Sequence, residues 1–450
     1  MSNDPSATSP AVDRMRGHWS VVAPLMGGTK AMRDAGQKLL PRFPAEELDT
    51  YTQRLALSTL LPAYAETVAN NAARVFAEPL QLGEDVPPVI AELCEDIDRS
   101  GNNLSAWAVE LFQIGLSHGL CHALVDYPKT EGFRTKADEE AAGLRPYAVL
   151  IKPEQIRGWQ QKEGKLTQVR YLESVSVDVG EFGSETVEQI RVLEPGLWYT
   201  YRRIENAGAW ALHDIGETSL KHIPWLTFYA RRTDFMEAKP PLLELAHLNV
   251  KHWQSQSDQD NLLHVARVPL LFVFTDDEQF KLTISAGSAT RMPKDGSAGY
   301  VEHTGAAISA GRQSLLDLVD DMRLAGAKLL QRDKQATKTA AQANEEAAQE
   351  LSPLARMASH FGDCIALLLQ HIADYKGLPK GGKVEMRGNF ESDYAPEVSL
   401  PVLVAMATAG QISDESLFSE MQRRGVLSDE LSWEQERERM DGQGPALGGM

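Results

Sequence analysis

The chain has 450 residues, 43% of them apolar and 24% charged, with 45 Lys and Arg against 63 Asp and Glu and a formal net charge of −18. That length supports a large core divided into two or three regions. The sign of the charge excludes an ordinary DNA reader, which gains affinity from a basic face that neutralises phosphates.

No apolar run approaches the ~20 residues that span a bilayer. The N-terminal MSNDPSATSPAVDR has no basic segment ahead of an apolar one, so no secretory signal is expected. Cys94, Cys121 and Cys364 are widely separated, which argues against a disulfide framework and fits a reducing cytosol. The acidity has two readings: solubility alone, or a surface that repels phosphates and lets a duplex slide.

Residues 1–50 mix Pro, Gly and small polar residues with little periodicity and predict a loose arm with one or two short helices. From Tyr51 to Ala77, Leu55, Ala65, Val68, Ala69, Ala72 and Phe76 mark a helical face, ended by Pro79 and Gly83. Two more helices, about 89–98 and 104–118, flank a turn at Gly101-Asn102-Asn103. Across 123–232 the period shortens to two. Strands are expected at 123–126, 147–151, 168–174, 187–193, 198–202 and 223–229, with turns at Glu194-Pro195-Gly196 and Asn206-Ala207-Gly208.

Helical character returns over 241–266, about 39 Å of helix at 1.5 Å per residue. Its first half is apolar (Leu242, Leu243, Leu245, Leu248, Trp253), whereas 254–261, QSQSDQDN, is polar on every face. Such a stretch should face solvent, a cavity or another subunit, not a core. A strand at 270–274 precedes a helix at 311–330 with Leu315, Val319, Met322 and Leu329 on one stripe.

The strongest period lies in 339–375, where Ala347, Leu351, Leu354, Ala358, Phe361, Ile365, Leu368 and Ile372 alternate steps of four and three. Ser352-Pro353 suits an N-cap followed by a first helical residue, so two helices, or one kinked there, are expected. After a break at 396–401, helices at 403–409 and 413–424 read as a separate unit, and the terminal GQGPALGGM reads as disordered.

Catalytic patterns are lacking. Gly27-Gly28-Thr29-Lys30 has neither the G-x-x-x-x-G-K-[ST] spacing nor a preceding strand. His118 and His122 stand four apart around Cys121, close enough to share a metal on a helix, but Gly119 sits where the metalloprotease motif needs Glu. Satisfied interior polar residues are the expected reading, and core packing is expected for His360 and Cys364. No G-x-S-x-G or Asp-rich nuclease cluster is visible. No enzymatic activity, cofactor, bound ATP or stoichiometric zinc is therefore expected. One short segment is basic: Lys328, Arg332, Lys334 and Lys338, with Asp333 as its one acid. It reads either as a solvated loop between helices or as a loop held near phosphates.

Several motifs recur in a fixed order. Tyr51-x-x-Arg54 opens a helix running to Val75-Phe76, and Asp98-x-x-Gly101-Asn102-Asn103-Leu104 leads to Gly119 and Leu124-Val125-Asp126-Tyr127-Pro128. Arg145-Pro146-Tyr147, Pro153-Glu154-Gln155-Ile156, Ile223-Pro224 and Pro240-Pro241-Leu242 follow. The most specific is Leu248-Asn249-x-x-His252 with Ser257-Asp258-x-x-Asn261-x-Leu263-His264-x-Ala266-Arg267-x-Pro269. Val301-Glu302-His303-Thr304-Gly305 then precedes the helix around Met322. Together, over about 45–440, they resemble the portal proteins of tailed bacteriophages.

The resemblance implies an α+β, portal-like fold with helical wing, stem and crown and a β-rich middle, assembled as a dodecameric ring around a channel for double-stranded DNA. It implies an N-terminal arm at 1–50, wing at 51–159, β-rich wing or clip at 160–235 and a stem helix at 236–267. Wing follows at 268–395, with a tunnel loop at about 328–340, then crown and disordered tail at 396–450.

Gln254, Gln256, Asp258 and Asn261 would face the channel from the stem. Lys328, Arg332, Lys334 and Lys338 would form the tunnel loop and touch phosphates without reading sequence. The implied partners are further copies of the chain, a terminase large subunit carrying the ATP motor, major capsid and scaffolding proteins, a head–tail adaptor, and double-stranded DNA passing non-specifically. No membrane is implied; the expected location is the capsid vertex of a virion assembled in the bacterial host cytoplasm. Another phage structural protein, such as a capsid or tail component, and an enzyme of unrecognised type remain as alternatives.

Overall fold

A computed structural model of the chain describes residues 4–128, 138, 141–204, 208–267, 270–274, 297–301, 306–329, 352–389, 396–423, 426–427 and 431–442. Its contacts divide the chain into two units, Met1–Phe390 and Glu391–Met450.

The first fifty residues hold helices, as expected, but the first of these is packed into the core and is not a loose arm. Helix α1 (Pro10–Met26) begins with Ser9, whose hydroxyl accepts the Val12 N–H, and with Pro10 at the first helical position. It buries Val12, Met15, Trp19, Val22 and Leu25, and the Trp19 indole donates to the His118 carbonyl at 3.1 Å. Gly17 and Pro24 interrupt the sequence signal without ending the helix.

Helix α2 (Gly28–Ala35) follows. The single helix expected from Tyr51 is two, α3 (Leu48–Leu57) and α4 (Ala63–Val75). Pro62 lacks an N–H and pushes Leu61 out of the helical region, so the chain breaks there. Helix α5 (Pro88–Leu93) runs into a 3-10 turn, Cys94–Asp96. Helix α6 (Leu104–His118) has the expected bounds: Asn103 accepts the Ala106 N–H, and Gly119 closes it in the left-handed region at φ 95°.

Strand β1 (Gln81–Leu82) pairs with a late strand at the far end of this unit. Strands β2 (Leu120–Asp126) and β3 (Tyr147–Ile151) lead into β4 (Ile156–Lys162), β5 (Lys165–Val179), β6 (Gly183–Glu194), β7 (Leu197–Arg203), β8 (Trp210–Glu217) and β9 (Trp225–Tyr229). They form two antiparallel sheets, β3-β2-β9 and the meander β4-β5-β6-β7-β8. The central β2 is buried at every residue, with Leu124 opposite both Val149 and Trp225. The sequence missed β4 and β8, which lie at the edges of the meander and carry little alternation. The expected turn at Asn206-Ala207 lies outside the described residues. Short strands β10 (Arg232–Asp234) and β11 (Glu237–Ala238) pair with each other, as do β12 (Leu270–Phe274) and β13 (Ser297–Val301).

Three long helices complete this unit: α7 (Leu243–Ala266), α8 (Ala306–Ala327) and α9 (Pro353–Lys376). Strand β14 (Val384–Glu385) then closes on β1. In α9, Ser352 accepts the Ala355 N–H and Gly377 caps the far end at φ 71°, and the heptad positions Leu354, Ala358, Phe361, Ile365, Leu368 and Ile372 are all buried. Ala347 and Leu351 lie outside the described residues. Phe76, Phe112, Phe228 and Phe361 join α4, α6, β9 and α9, with neighbouring ring centroids 4.9–5.8 Å apart.

In the second unit, α10 (Pro396–Thr408) occupies the expected break; Pro396 fits the first helical position and Pro401 is carried inside. Helices α11 (Asp414–Arg423) and α12 (Trp433–Gly442) follow, with the Phe418 and Trp433 rings 5.5 Å apart. The chain is a mixed α+β protein, and none of its described helices is long and apolar enough to cross a membrane.

Candidate functional site

Helix α7 presents two different faces. Glu244, His247, Lys251, Gln254, Asp258 and Asn261 recur in steps of three and four along one side; all are exposed except Gln254, which is half-buried. At 100° per residue this is a single polar stripe. The opposite side buries Leu245, Ala246, Asn249, Trp253 and Ser257.

Polar groups on that side, and Gln254 on the stripe itself, find partners, which explains how QSQSDQDN can pack. Asn249 accepts the Tyr64 N–H at 3.0 Å and donates to the Leu61 carbonyl at 2.9 Å, so it satisfies the backbone groups exposed by the Pro62 break. Gln254 donates to the Leu39 carbonyl at 2.9 Å, and Gln259 to the Ile308 carbonyl at 3.0 Å. A side chain at Gly311 would collide with the Gln259 amide, so glycine there lets α8 approach.

Ser257 receives Arg54 Nη1 at 3.3 Å and the Ser58 hydroxyl at 2.9 Å. The Arg54 guanidinium grips Glu46 with Nε at 2.7 Å and Nη2 at 2.8 Å, donates to the Pro41 carbonyl at 3.0 Å, and lies 4.3 Å from the Phe43 ring centroid. The Arg54 and Glu46 side chains are 4% and 5% exposed. Hydrogen bonds from Arg54 hold the Glu46 carboxyl below the usual carboxylate range.

The expectation that 254–261 avoids the core therefore needs correction: Ser257 is 2% and Gln259 8% exposed, because each polar group has a partner. Of the four residues expected to face a channel, Gln254, Asp258 and Asn261 share the stripe. Gln256 lies about 200° around the helix from Gln254, and its amide donates to Asp260 at 2.8 Å. Lys328 is exposed just beyond α8, whereas Arg332, Lys334 and Lys338 lie outside the described residues.

The other candidates resolve into packing. His118 ends α6 and His122 lies in β2, so the left-handed Gly119 separates them and no helical turn brings them together. His118 Nε2 lies 2.8 Å from Glu154, and His122 Nδ1 lies 2.9 Å from the Thr227 hydroxyl, with burial pushing the His122 imidazole down to about 3. Burial raises the Cys94 and Cys364 thiols to about 12, and raises Cys121 as well, the opposite of an activated thiolate. His360 is exposed on α9, contrary to the core packing expected of it. Gly27-Gly28-Thr29-Lys30 is the junction of α1 and α2: the Thr29 hydroxyl accepts the Leu60 N–H and Lys30 pairs with Asp34 at 2.8 Å.

Sequence spacing also missed two clusters that form only across long separations. Arg191 makes a bidentate pair with Asp126 at 2.7 and 3.0 Å, with the Tyr147 hydroxyl also donating to Asp126, and so ties β6 to β2. His222, His371 and Asp374 bring three ligand-type atoms together.

Solved structures with a similar chain come from gene transfer agent (GTA) particles. One is from the neck of a native particle computed with C12 symmetry: 14% identity, 79% of this chain and 88% of that chain covered, TM-score 0.39. A second is from the neck of an empty particle computed with C6 symmetry, at 12% identity, 79% and 87% coverage and TM-score 0.39. A third is from the virion of a native particle, at 12% identity, 80% and 88% coverage and TM-score 0.39. Residues 241–376, the span of α7 to α9, match the family described as Domain of unknown function (DUF4055). No curated protein matches the chain.

Proposed function

We propose that the chain is a structural component of a virion and, more specifically, a portal subunit: one copy in a ring that passes double-stranded DNA at a capsid vertex, and not an enzyme. The observation that carries this reading is the exposed polar stripe of α7, backed by buried polar contacts that fix the helix in place. The order of portal-like motifs along 45–440 supports it independently.

A channel that moves a duplex needs a lining that is polar yet holds phosphates weakly. Each phosphate neutralised by a cation adds salt-dependent affinity, so a basic lining would brake the duplex. The stripe carries one Lys, two carboxylates and two amides, with His247 the remaining member. Repeated around a ring, it offers hydrogen bonds without a net attraction for phosphate, and it faces backbones, not base edges. Lys328, Arg332, Lys334 and Lys338 then supply a few basic points after α8, where each copy touches the passing strand briefly. The force comes from a separate terminase, and capsid, scaffold and head–tail adaptor proteins dock around the ring.

The test is the Arg332→Glu, Lys334→Glu, Lys338→Glu variant, with ring yield and packaged DNA measured against wild type. Rings should form normally, since solvated substitutions shift folding by about 0.5 kcal/mol or less, while packaging or retention of DNA falls. Failure of ring assembly would make the loop structural, and unchanged packaging would make it merely solvated; either outcome rejects its role at the duplex.

A further inference from the structure

Away from α7, the segment between β8 and β9 meets the last turns of α9. His222 comes from that segment, and His371 and Asp374 stand one helical turn apart on α9. His222 Nε2 lies 3.2 Å from His371 Nδ1 and 3.3 Å from Asp374 Oδ2, and His371 Nδ1 lies 3.8 Å from the same oxygen. All three atoms are ligand types for a metal ion.

These spacings suit a cation better than they suit the hydrogen bonds alone. A tetrahedral centre with bonds of about 2.0–2.1 Å places its ligand atoms about 3.3–3.4 Å apart, and the observed distances bracket that value. A charge-assisted bond from imidazolium to carboxylate would instead draw nitrogen and oxygen to about 2.7–2.9 Å, and neither His–Asp distance is that short. A single N–H between the imidazoles accounts for their contact but leaves Asp374 Oδ2 without a short charge-assisted bond to either ring.

The ring directions agree. Two imidazoles bound to one tetrahedral ion would have centroids about 5.2 Å apart, against about 5.5 Å for rings pointing head-on; the observed separation is 5.1 Å.

The surroundings orient the ligands. Gln370 donates to Asp374 Oδ1 at 2.9 Å, which leaves Oδ2 turned toward the histidines. The other nitrogen of His371, Nε2, is buried without a hydrogen-bond partner. The tautomer with its proton on Nε2 presents the Nδ1 lone pair to His222 and Asp374, as a metal-bound histidine requires. The His371 side chain is 8% exposed, Asp374 27% and His222 46%, so the site is anchored in the interior and open on the His222 side.

We propose that His222 Nε2, His371 Nδ1 and Asp374 Oδ2 bind a divalent transition-metal cation of the zinc class, which staples the segment between β8 and β9 to α9 and leaves one coordination position open to water. Two imidazoles and one carboxylate favour zinc, cobalt or nickel over the all-oxygen preference of calcium and magnesium. The site stands apart from the α7 stripe and does not depend on the portal reading; it replaces the sequence expectation of no stoichiometric zinc, which rested on the His118, Cys121 and His122 cluster.

The experiment uses the untagged full chain, stripped with a chelator, dialysed, and titrated with Zn2+ against a chromophoric competitor. The expected result is one Zn2+ per chain, with a Kd on the order of 1 μM or tighter, and Co2+ should give the visible absorption of a tetrahedral complex. His222→Ala and Asp374→Asn should each weaken uptake at least about 100-fold and abolish the Co2+ signal. Both residues are partly exposed, so circular dichroism should show the fold retained. Failure of the wild-type chain to take up one equivalent would overturn the proposal, as would uptake that survives either substitution.

Discussion

Replacing Arg54 with Ala strands the Glu46 carboxylate. The side chains are almost fully buried, at 4% and 5% exposure, and Arg54 donates to both carboxylate oxygens, to the Pro41 carbonyl and to Ser257, leaving the Phe43 N–H as the carboxylate's other donor. Removing one member of a buried pair costs about 3–5 kcal/mol, because the remaining charge stays desolvated. Replacing both by apolar residues is nearly neutral.

Arg54→Ala should therefore lose about 4 kcal/mol in urea unfolding followed by circular dichroism, or about 5 °C in Tm for a unit of this size. Arg54→Met with Glu46→Leu should return to within about 2 kcal/mol of wild type. The sign of the pH dependence follows from the lowered Glu46 pKa. The wild-type contribution is present above the usual carboxylate range and is lost as pH falls through the depressed folded value. In Arg54→Ala the stranded carboxyl titrates upward instead, so mild acid should narrow the gap to wild type. A loss below about 1 kcal/mol for Arg54→Ala, or a double variant as unstable as the two singles combined, would refute the reasoning.

Burial holds His122 neutral down to about 3, so its contribution is full above the ordinary imidazole value of 6.5 and is lost as pH falls from there toward 3. Between pH 6.5 and 4.5, wild type should lose about 2–3 kcal/mol more than His122→Gln, and parallel pH profiles would contradict this. Gly119→Ala forces a left-handed residue at φ 95° and places a Cβ 2.6 Å from the Lys239 carbonyl carbon, whereas Gly101→Ala, at φ 89°, meets open space. The first should cost at least about 3 kcal/mol and the second about 1 kcal/mol in the same urea assay; equal losses would show that the contact with Lys239 is unimportant. Asn261→Lys, on the exposed stripe, should leave stability within about 0.5 kcal/mol and make DNA passage slower and more salt-sensitive. Unchanged passage would remove Asn261 from the lining.

The parts of the fold that were legible in the sequence are those set by short-range pattern. The apolar period of α9, its Ser352 cap, and the Asn103 and Gly119 ends of α6 all depend on residues within a few positions of one another. Short helices were expected within 1–50, but the length and burial of α1 were not legible, because Gly17 and Pro24 break its period while Val12, Met15 and Trp19 still reach the core. The burial of Ser257 was hidden for a different reason: its partner Arg54 lies 203 residues away, and nothing near it announces a donor. His222 and His371 are 149 residues apart, beyond the reach of any spacing rule. The misplacement of Gln256 was avoidable, since 100° per residue already separates it from Gln254 and Asp258. Composition identified the stretch as polar, but only helical phase and partners distinguish its exposed side from its anchored one.

A portal subunit works only as part of a closed ring. Native mass spectrometry of the purified full chain, across a wide concentration range, tests it most directly, because closed rotational symmetry fixes one small stoichiometry. A single closed oligomer, twelve copies in the portal form, should persist on dilution. A strictly monomeric chain at every concentration, or an open series of oligomers without a preferred size, would contradict it.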